Sequence, residues 1–258
     1  MATKYDKKPD SEPGSNSRRS FLKGSAAIAS VFVAPGVMLY RTSQAKSADQ
    51  AVDNSVRWGM LIDTNAMTEA DVDNCVSACQ REHGLKDTGR PETDAQWIRK
   101  VNLVDAETGH KIFLPMMCQH CEDPPCVDVC PTGASFKRAD GIVLVNRHIC
   151  IGCRYCMMAC PYKARSFIHE NLRDQLPVAP RGKGTVESCT LCVHRIDRDG
   201  INAVPACAEA VNGANGKPIL FGDLNNPKSE ISKRLAELGG MALRADLGLN
   251  PGIRYQGL

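Results

Sequence analysis

Aromatic residues make up only 5% of this 258-residue chain, too few for one large aromatic-rich core. Charge of one sign is also missing: the net charge is +3, with no Lys/Arg block and no basic stripe interleaved with aromatics. That argues against nucleic acid as a partner. No Gly-x-Gly-x-x-Gly follows a strand pattern, no Walker loop occurs, and no Ser/His/Asp or Cys/His nucleophile arrangement stands out, so no reaction on an organic substrate is predicted. A covalent c-type haem needs Cys-x-x-Cys-His, but the residues after Cys121, Cys153 and Cys192 are Glu122, Arg154 and Val193. No apolar run reaches the ~20 residues that span a bilayer.

What the chain has instead is cysteine, 13 in all, beside 21 Gly and 15 Pro. This composition suits loops folded around inorganic cores, with ligand bonds standing in for apolar burial. The stretch Cys150-Ile-Gly-Cys153-Arg-Tyr-Cys156-Met-Met-Ala-Cys160-Pro161 is C-x2-C-x2-C-x3-C-P, the spacing of bacterial-type iron–sulfur ligation, in which the fourth cysteine serves the other cluster of a pair. Its partner motif lies just upstream as Cys118, Cys121, Cys126 and Cys130-Pro131. Crossing the fourth ligands predicts cluster A on Cys118, Cys121, Cys126 and Cys160, and cluster B on Cys150, Cys153, Cys156 and Cys130.

Two further groups flank this pair: Cys75 and Cys79 upstream, and Cys189, Cys192 and Cys207 downstream. In the same register the missing ligands of an outer pair fall at Glu69, Val72 and Val211, none a cysteine. The crossing rule then gives cluster C on Cys189, Cys192, Cys207 and Cys79, and leaves Cys75 as a thiol packed like a small apolar group. Twelve cysteines thus serve as iron ligands for three [4Fe–4S] clusters. Paired Cys-x-x-Cys groups also build structural zinc, so a zinc scaffold is the alternative of another class. Triplets followed by x3-Cys-Pro are cluster spacing.

The N-terminus reads as an address. Arg18 and Arg19 precede an apolar run from Ala26 to Tyr40 and a small-x-small site at Ser43-Gln44-Ala45. Residues 1–45 are therefore predicted to be a Tat signal, handled by the Tat translocon, which exports proteins already folded. Locally, Ser135–Val145 is predicted as a hairpin turning at Asp140-Gly141, and 165–169 as a closing strand. A helix is predicted over 229–238, capped by Asn226 with Pro227 in its first turn and stopped by Gly239. The tail 242–258 is predicted as an extended arm. His120, Lys137, Arg138, Arg147, His148 and Arg154 stand near predicted clusters, where a donor aimed at sulfur raises a reduction potential. Met157 and Met158 are read as apolar shielding.

On Trp58-Gly-Met-Leu-Ile-Asp63, Cys118-Gln-His-Cys-Glu-Asp-Pro-Pro-Cys126, Cys150–Pro161 and Phe221-Gly-Asp-Leu-Asn-Asn226, the chain resembles the iron–sulfur subunits of dimethyl sulfoxide and polysulfide reductases. Within that family it is most similar to the periplasmic DsrO type of the DsrMKJOP sulfur-metabolism complex. The resemblance runs from about residue 58 to 224. It implies an α+β fold of two bacterial-ferredoxin-like modules, one inserted in the other, with β-hairpins, short helices and long loops. The outer module spans 46–115 and 171–225, the inner 116–170, and a C-terminal helix and tail 226–258. It also implies an electron-transfer subunit rather than an enzyme, exported to the periplasm and held at the membrane by partners. Those partners are a polytopic quinone-interacting membrane subunit and a multihaem cytochrome c. A molybdopterin oxidoreductase of the tetrathionate or polysulfide reductase type is the alternative partner. The lost outer site departs from the four-cluster pattern and points to a chain shortened at one end.

Overall fold

The computed structural model describes residues 52–258 apart from 174, 214 and 215; the predicted Tat signal lies outside the described residues. In chain order the strands are β1 (Trp58–Asp63), β2 (Ile98–Val104), β3 (Lys111–Met117), β4 (Ser135–Lys137), β5 (Val143–Val145), β6 (Ser166–Phe167), β7 (Val186–Glu187), β8 (Ile219–Asp223) and β9 (Ile253–Gln256). The helices are α1 (Glu69–His83), α2 (Pro125–Asp128), α3 (Tyr155–Ala159), α4 (Val193–Asp199), α5 (Ala206–Val211) and α6 (Glu230–Leu238). Mixed short elements of this kind are α+β, as expected.

β1 is the centre of a three-stranded sheet, antiparallel to β8 and parallel to β9. Every β1 residue but Asp63 is buried, as a strand covered on both faces requires. Trp58 stacks on Phe221 across the β1–β8 pair at 5.2 Å. The remaining sheets are two-stranded: β2 with β3, β4 with β5, and β6 with β7. The predicted hairpin is present as β4 and β5, joining the two central cysteine motifs. Its turn uses a positive φ at Gly141 alone, not at Asp140. The strand predicted at 165–169 narrows to β6, since only Ser166 and Phe167 pair with β7.

Two other expectations are corrected. Ser229, not Asn226, caps α6: its hydroxyl accepts from Ser232 N–H at 3.2 Å, while Asn226 Oδ1 accepts from Lys228 N–H in the preceding turn. The tail is no free arm. Its end forms β9, with Ile253 and Tyr255 fully buried. Gly252 N–H donates to the carbonyl of Gln119 at 2.9 Å, and Gln119 Nε2 donates to Tyr255 Oη at 3.1 Å. The last residues thereby brace the Cys118–Cys121 loop.

α1 carries Cys75 and Cys79 on an uninterrupted helix. Thr68 and Asp71 close a capping box at its start, and Gly84 ends it in the left-handed region at φ 63°. The residues that start and stop this helix, Thr68-x-x-Asp71 and Gly84, are those physical chemistry favours.

Candidate metal centres

The cysteine loops share one backbone device. The second residue between the cysteines of each pair is left-handed: His120 (φ 43°), Gly152 (φ 70°) and Leu191 (φ 56°). Such a residue turns successive N–H groups into one concavity, the nest that receives anions in many iron–sulfur sites. At Gly152 the device admits no side chain, since an added Cβ would collide with the carbonyl oxygen of Gly184. Gly152→Ala is expected to destabilise the protein by about 1–3 kcal/mol, from backbone strain plus this clash. Thermal unfolding, together with the iron held by the variant, checks it.

Cys118, Cys121, Cys126 and Cys160 line one small pocket, walled by Pro124, Pro125, Val143, Pro161 and Tyr162. Cys130, Cys150, Cys153 and Cys156 line a second, walled by Ala134, Val145, Ile151 and Val186. Each cavity gathers the four thiols that spacing assigned to one cluster. All thirteen cysteines are free thiols. Among the described residues no three His, Cys, Asp or Glu side chains close on a point suited to one ion; these thiols surround a volume instead. A ring of thiols, apolar walls and inward N–H groups fits a cubane.

Backbone amides also reach the sulfurs, Ser135 N–H donating to Cys130 Sγ at 3.3 Å and Val186 N–H to Cys150 Sγ at 3.5 Å. Burial pushes the Cys118 and Cys121 thiols up to about 12, so they hold their protons until a metal displaces them. Cys130 is the contrast: burial raises it, but donation from the Ser135 amide and its neighbours brings it below the ordinary thiol value.

The third group lies where α1 and α5 pack together. Ala206 N–H donates to Cys192 Sγ at 3.4 Å and Leu191 N–H to Cys189 Sγ at 3.4 Å. After burial, the neighbours that most raise the Cys79 thiol are Cys189 and Cys192. Cys75 is fully buried, and its Sγ donates to the carbonyl oxygen of Cys207 at 3.5 Å. Cys207 lies within electrostatic reach of both helix cysteines. What separates those two is that Cys79 lies within electrostatic reach of the downstream pair, whereas the Cys75 thiol is spent on a backbone carbonyl. Arg195 clamps the group from outside, donating through Nε and Nη2 to Glu82 at 2.7 Å each and through Nη1 to Glu209 at 2.6 Å. Those hydrogen bonds hold the Glu82 carboxyl down at about 2 against the opposing effect of burial.

The charged residues singled out in the sequence mostly serve the fold. Lys137 pairs with Glu122 at 2.7 Å, Arg138 with Asp140 and Asp197 at 2.8 Å each. Arg147 lies over the Trp97 ring at 5.4 Å, Arg154 over Phe167 at 3.8 Å, and His148 is exposed. His120 alone is buried among the sites. Its Nδ1 accepts from Val143 N–H at 3.0 Å, which leaves the ring proton on Nε2, for which the described residues offer no acceptor. Burial keeps this ring neutral, pushing it down to about 3. Met157 packs beside site B, but Met158 is exposed and shields nothing.

Sequence reasoning missed His83 and Arg165. His83 Nε2 lies 3.6 Å from Cys192 Sγ; its place one helical turn after Cys79 was the available signal. Arg165 immediately precedes β6, and nothing in the pattern distinguished it from a surface arginine. It is 5% exposed, with Nη2 donating to Cys126 Sγ at 3.0 Å and to Ser135 Oγ at 2.8 Å.

Comparison with known proteins places the chain among iron–sulfur proteins. The 4Fe-4S dicluster domain family matches residues 110–222. Iron-sulfur subunit 1 of an Hdr-like menaquinol oxidoreductase from Archaeoglobus fulgidus is 40% identical, over 93% of this chain and 97% of its own. A tetrathionate reductase subunit of Salmonella typhimurium is 34% identical over 78% of this chain and 73% of its own. The protein NrfC of Escherichia coli is 34% identical over 91% of this chain and 92% of its own.

Proposed function

Because the chain belongs to the family of iron–sulfur electron-transfer subunits of larger redox complexes, we propose that it is an exported relay holding three [4Fe–4S] clusters. It connects a quinone-interacting membrane subunit with a cytochrome or sulfur-metabolism partner, in the manner of the DsrO type. The observation that carries this reading is the grouping of the thiols: two cavities each ringed by four cysteines, and a third group closed by Cys79. The inner sites belong to a module inserted in the outer one, with boundaries at 116 and 170.

The three sites form a series. Cys118 and Cys189 sense one another electrostatically, as do Cys126 and Cys156, so site A lies between C and B. Each cubane, once bound, supplies a one-electron couple. The protein contributes thiols, exclusion of water and inward amides. At the B end Cys153 is exposed, which brings that end of the series closest to solvent. At the other end Glu69, Val72 and Cys75 lie on the first two turns of α1. A capped helix cannot wrap a cubane as the other three cysteine loops do, which supports a vacated fourth site. A series shortened there favours a complex without a molybdopterin subunit.

Anaerobic purification with iron, sulfide and zinc analysis tests the reading. About twelve iron atoms per chain are expected from three cubanes. A colourless zinc protein sinks it. Mild-detergent purification from membranes is expected to retain a quinone-interacting subunit and a haem protein; a pterin-containing subunit instead overturns the choice of complex.

A further inference from the structure

Arg165 is an interior cation with no carboxylate partner among the described residues. Among the described residues its hydrogen bonds go to Cys126 Sγ and Ser135 Oγ, and its buried Nε and Nη1 have no partner. Guanidinium stays charged at all accessible pH values, and a buried charge left uncompensated is strongly unfavourable. Some anion must face those N–H groups.

Its position says which. Arg165 and Cys126 line the cavity of site A, whereas Ser135, which holds the other hydrogen of Nη2, lines the cavity of site B. A cubane bound by four thiolates is anionic, and one-electron reduction adds a further negative charge. A fixed cation beside it therefore favours the reduced form and raises the reduction potential.

We propose that Arg165 is a shared counter-cation between sites A and B, raising the reduction potentials of both cubanes and screening each from the charge of the other. The inference rests on the reading that both cavities hold cubanes. It adds that the two couples are tuned by one residue, so the inner pair is poised as a unit, distinct from site C.

The test is an EPR-monitored redox titration of the anaerobically purified protein beside Arg165→Gln and Arg165→Lys, each with its iron content measured. Glutamine keeps a donor but removes the charge; lysine keeps the charge but loses the fork. In Arg165→Gln, two reduction steps are expected to move to lower potential together. Each should show at least a tenfold rise in the oxidised-to-reduced ratio at fixed potential, about 59 mV for a one-electron couple. The remaining step should hold, and Arg165→Lys should recover most of the shift. The proposal is overturned if no step moves, if one step moves alone, or if all steps move equally. Should Arg165→Gln lose inner-site iron, Arg165→Lys decides. Full iron with both potentials near the wild-type values upholds the role of charge; full iron with the tenfold shift in place refutes it. Wild-type protein without iron would bring down the cluster reading itself, a failure separable by metal analysis.

Discussion

Replacing Cys79 by serine is expected to remove about four iron atoms from the purified protein, one cubane's content, whereas the same change at Cys75 is expected to remove none. The two residues stand one turn apart on α1 and are both buried, so burial and helix position do not distinguish them. Their neighbours do. Cys79 lies within electrostatic reach of Cys189 and Cys192, and Cys75 donates to the carbonyl of Cys207. Cys75→Ser retains a donor for that carbonyl and leaves all twelve proposed ligands in place. Cys79→Ser leaves three thiols for site C and exposes one iron corner. Iron and sulfide analysis of both variants, with EPR of the reduced protein, reads the difference. Equal losses from the two would mean that the fourth ligand is wrongly assigned. A second arm uses the triple variant Glu69→Cys, Val72→Cys and Val211→Cys, which supplies every missing thiol. Iron is expected to stay near twelve atoms, because residues 69–75 form a capped helix rather than a nest; a rise towards sixteen, four cubanes' worth, refutes this.

Deleting residues 251–258 is expected to remove a large share of the folding stability and the iron of site A. Ile253 and Tyr255 are fully buried beside β1, and burying an aliphatic or aromatic side chain of that size contributes about 1.5–3 kcal/mol. Their joint loss, roughly 3–6 kcal/mol, compares with total stabilities of about 5–15 kcal/mol. The deletion also strips the edge of β1 of its parallel partner and releases the Gln119 and His120 carbonyls from Gly252 N–H. The loop carrying Cys118 and Cys121 then loses its brace. Thermal unfolding and iron analysis of the truncated chain check both effects. A melting temperature within a few degrees of the full chain, with full iron, would show that the tail is dispensable.

Much of the candidate site was legible because cluster ligation is written in short-range spacing. Cys150, Cys153, Cys156 and Cys160 must sit on one loop and its following helix wherever the chain goes, and the cavities assemble the predicted sets. The hairpin at 135–145 and the end of α6 at Gly239 were legible for the same reason, since turn and stop signals act over a few residues. The α6 cap was misplaced because Asn226 and Ser229 carry equivalent signals, and only the bend at Pro227 decides which one faces the first free amides. The tail was misread because Ile253 and Tyr255 alternate over too few residues to announce a strand; their partner β1 lies far away in sequence.

By itself the sequence determined the iron–sulfur character of the chain and the spacing of its cysteines: which of them stand close enough along the backbone to share a loop, and at which positions of the motif a cysteine is missing. Spacing suffices there, because a few residues of backbone have a fixed reach. The tertiary structure alone decided that Cys75 and Cys79 stand on a capped helix, that the C-terminus braces a cysteine loop, and that Arg165 is buried between two pockets lined by cysteines. The last two depend on contacts between segments distant in the chain, and a charge acts on a sulfur through distance and burial, which spacing does not encode.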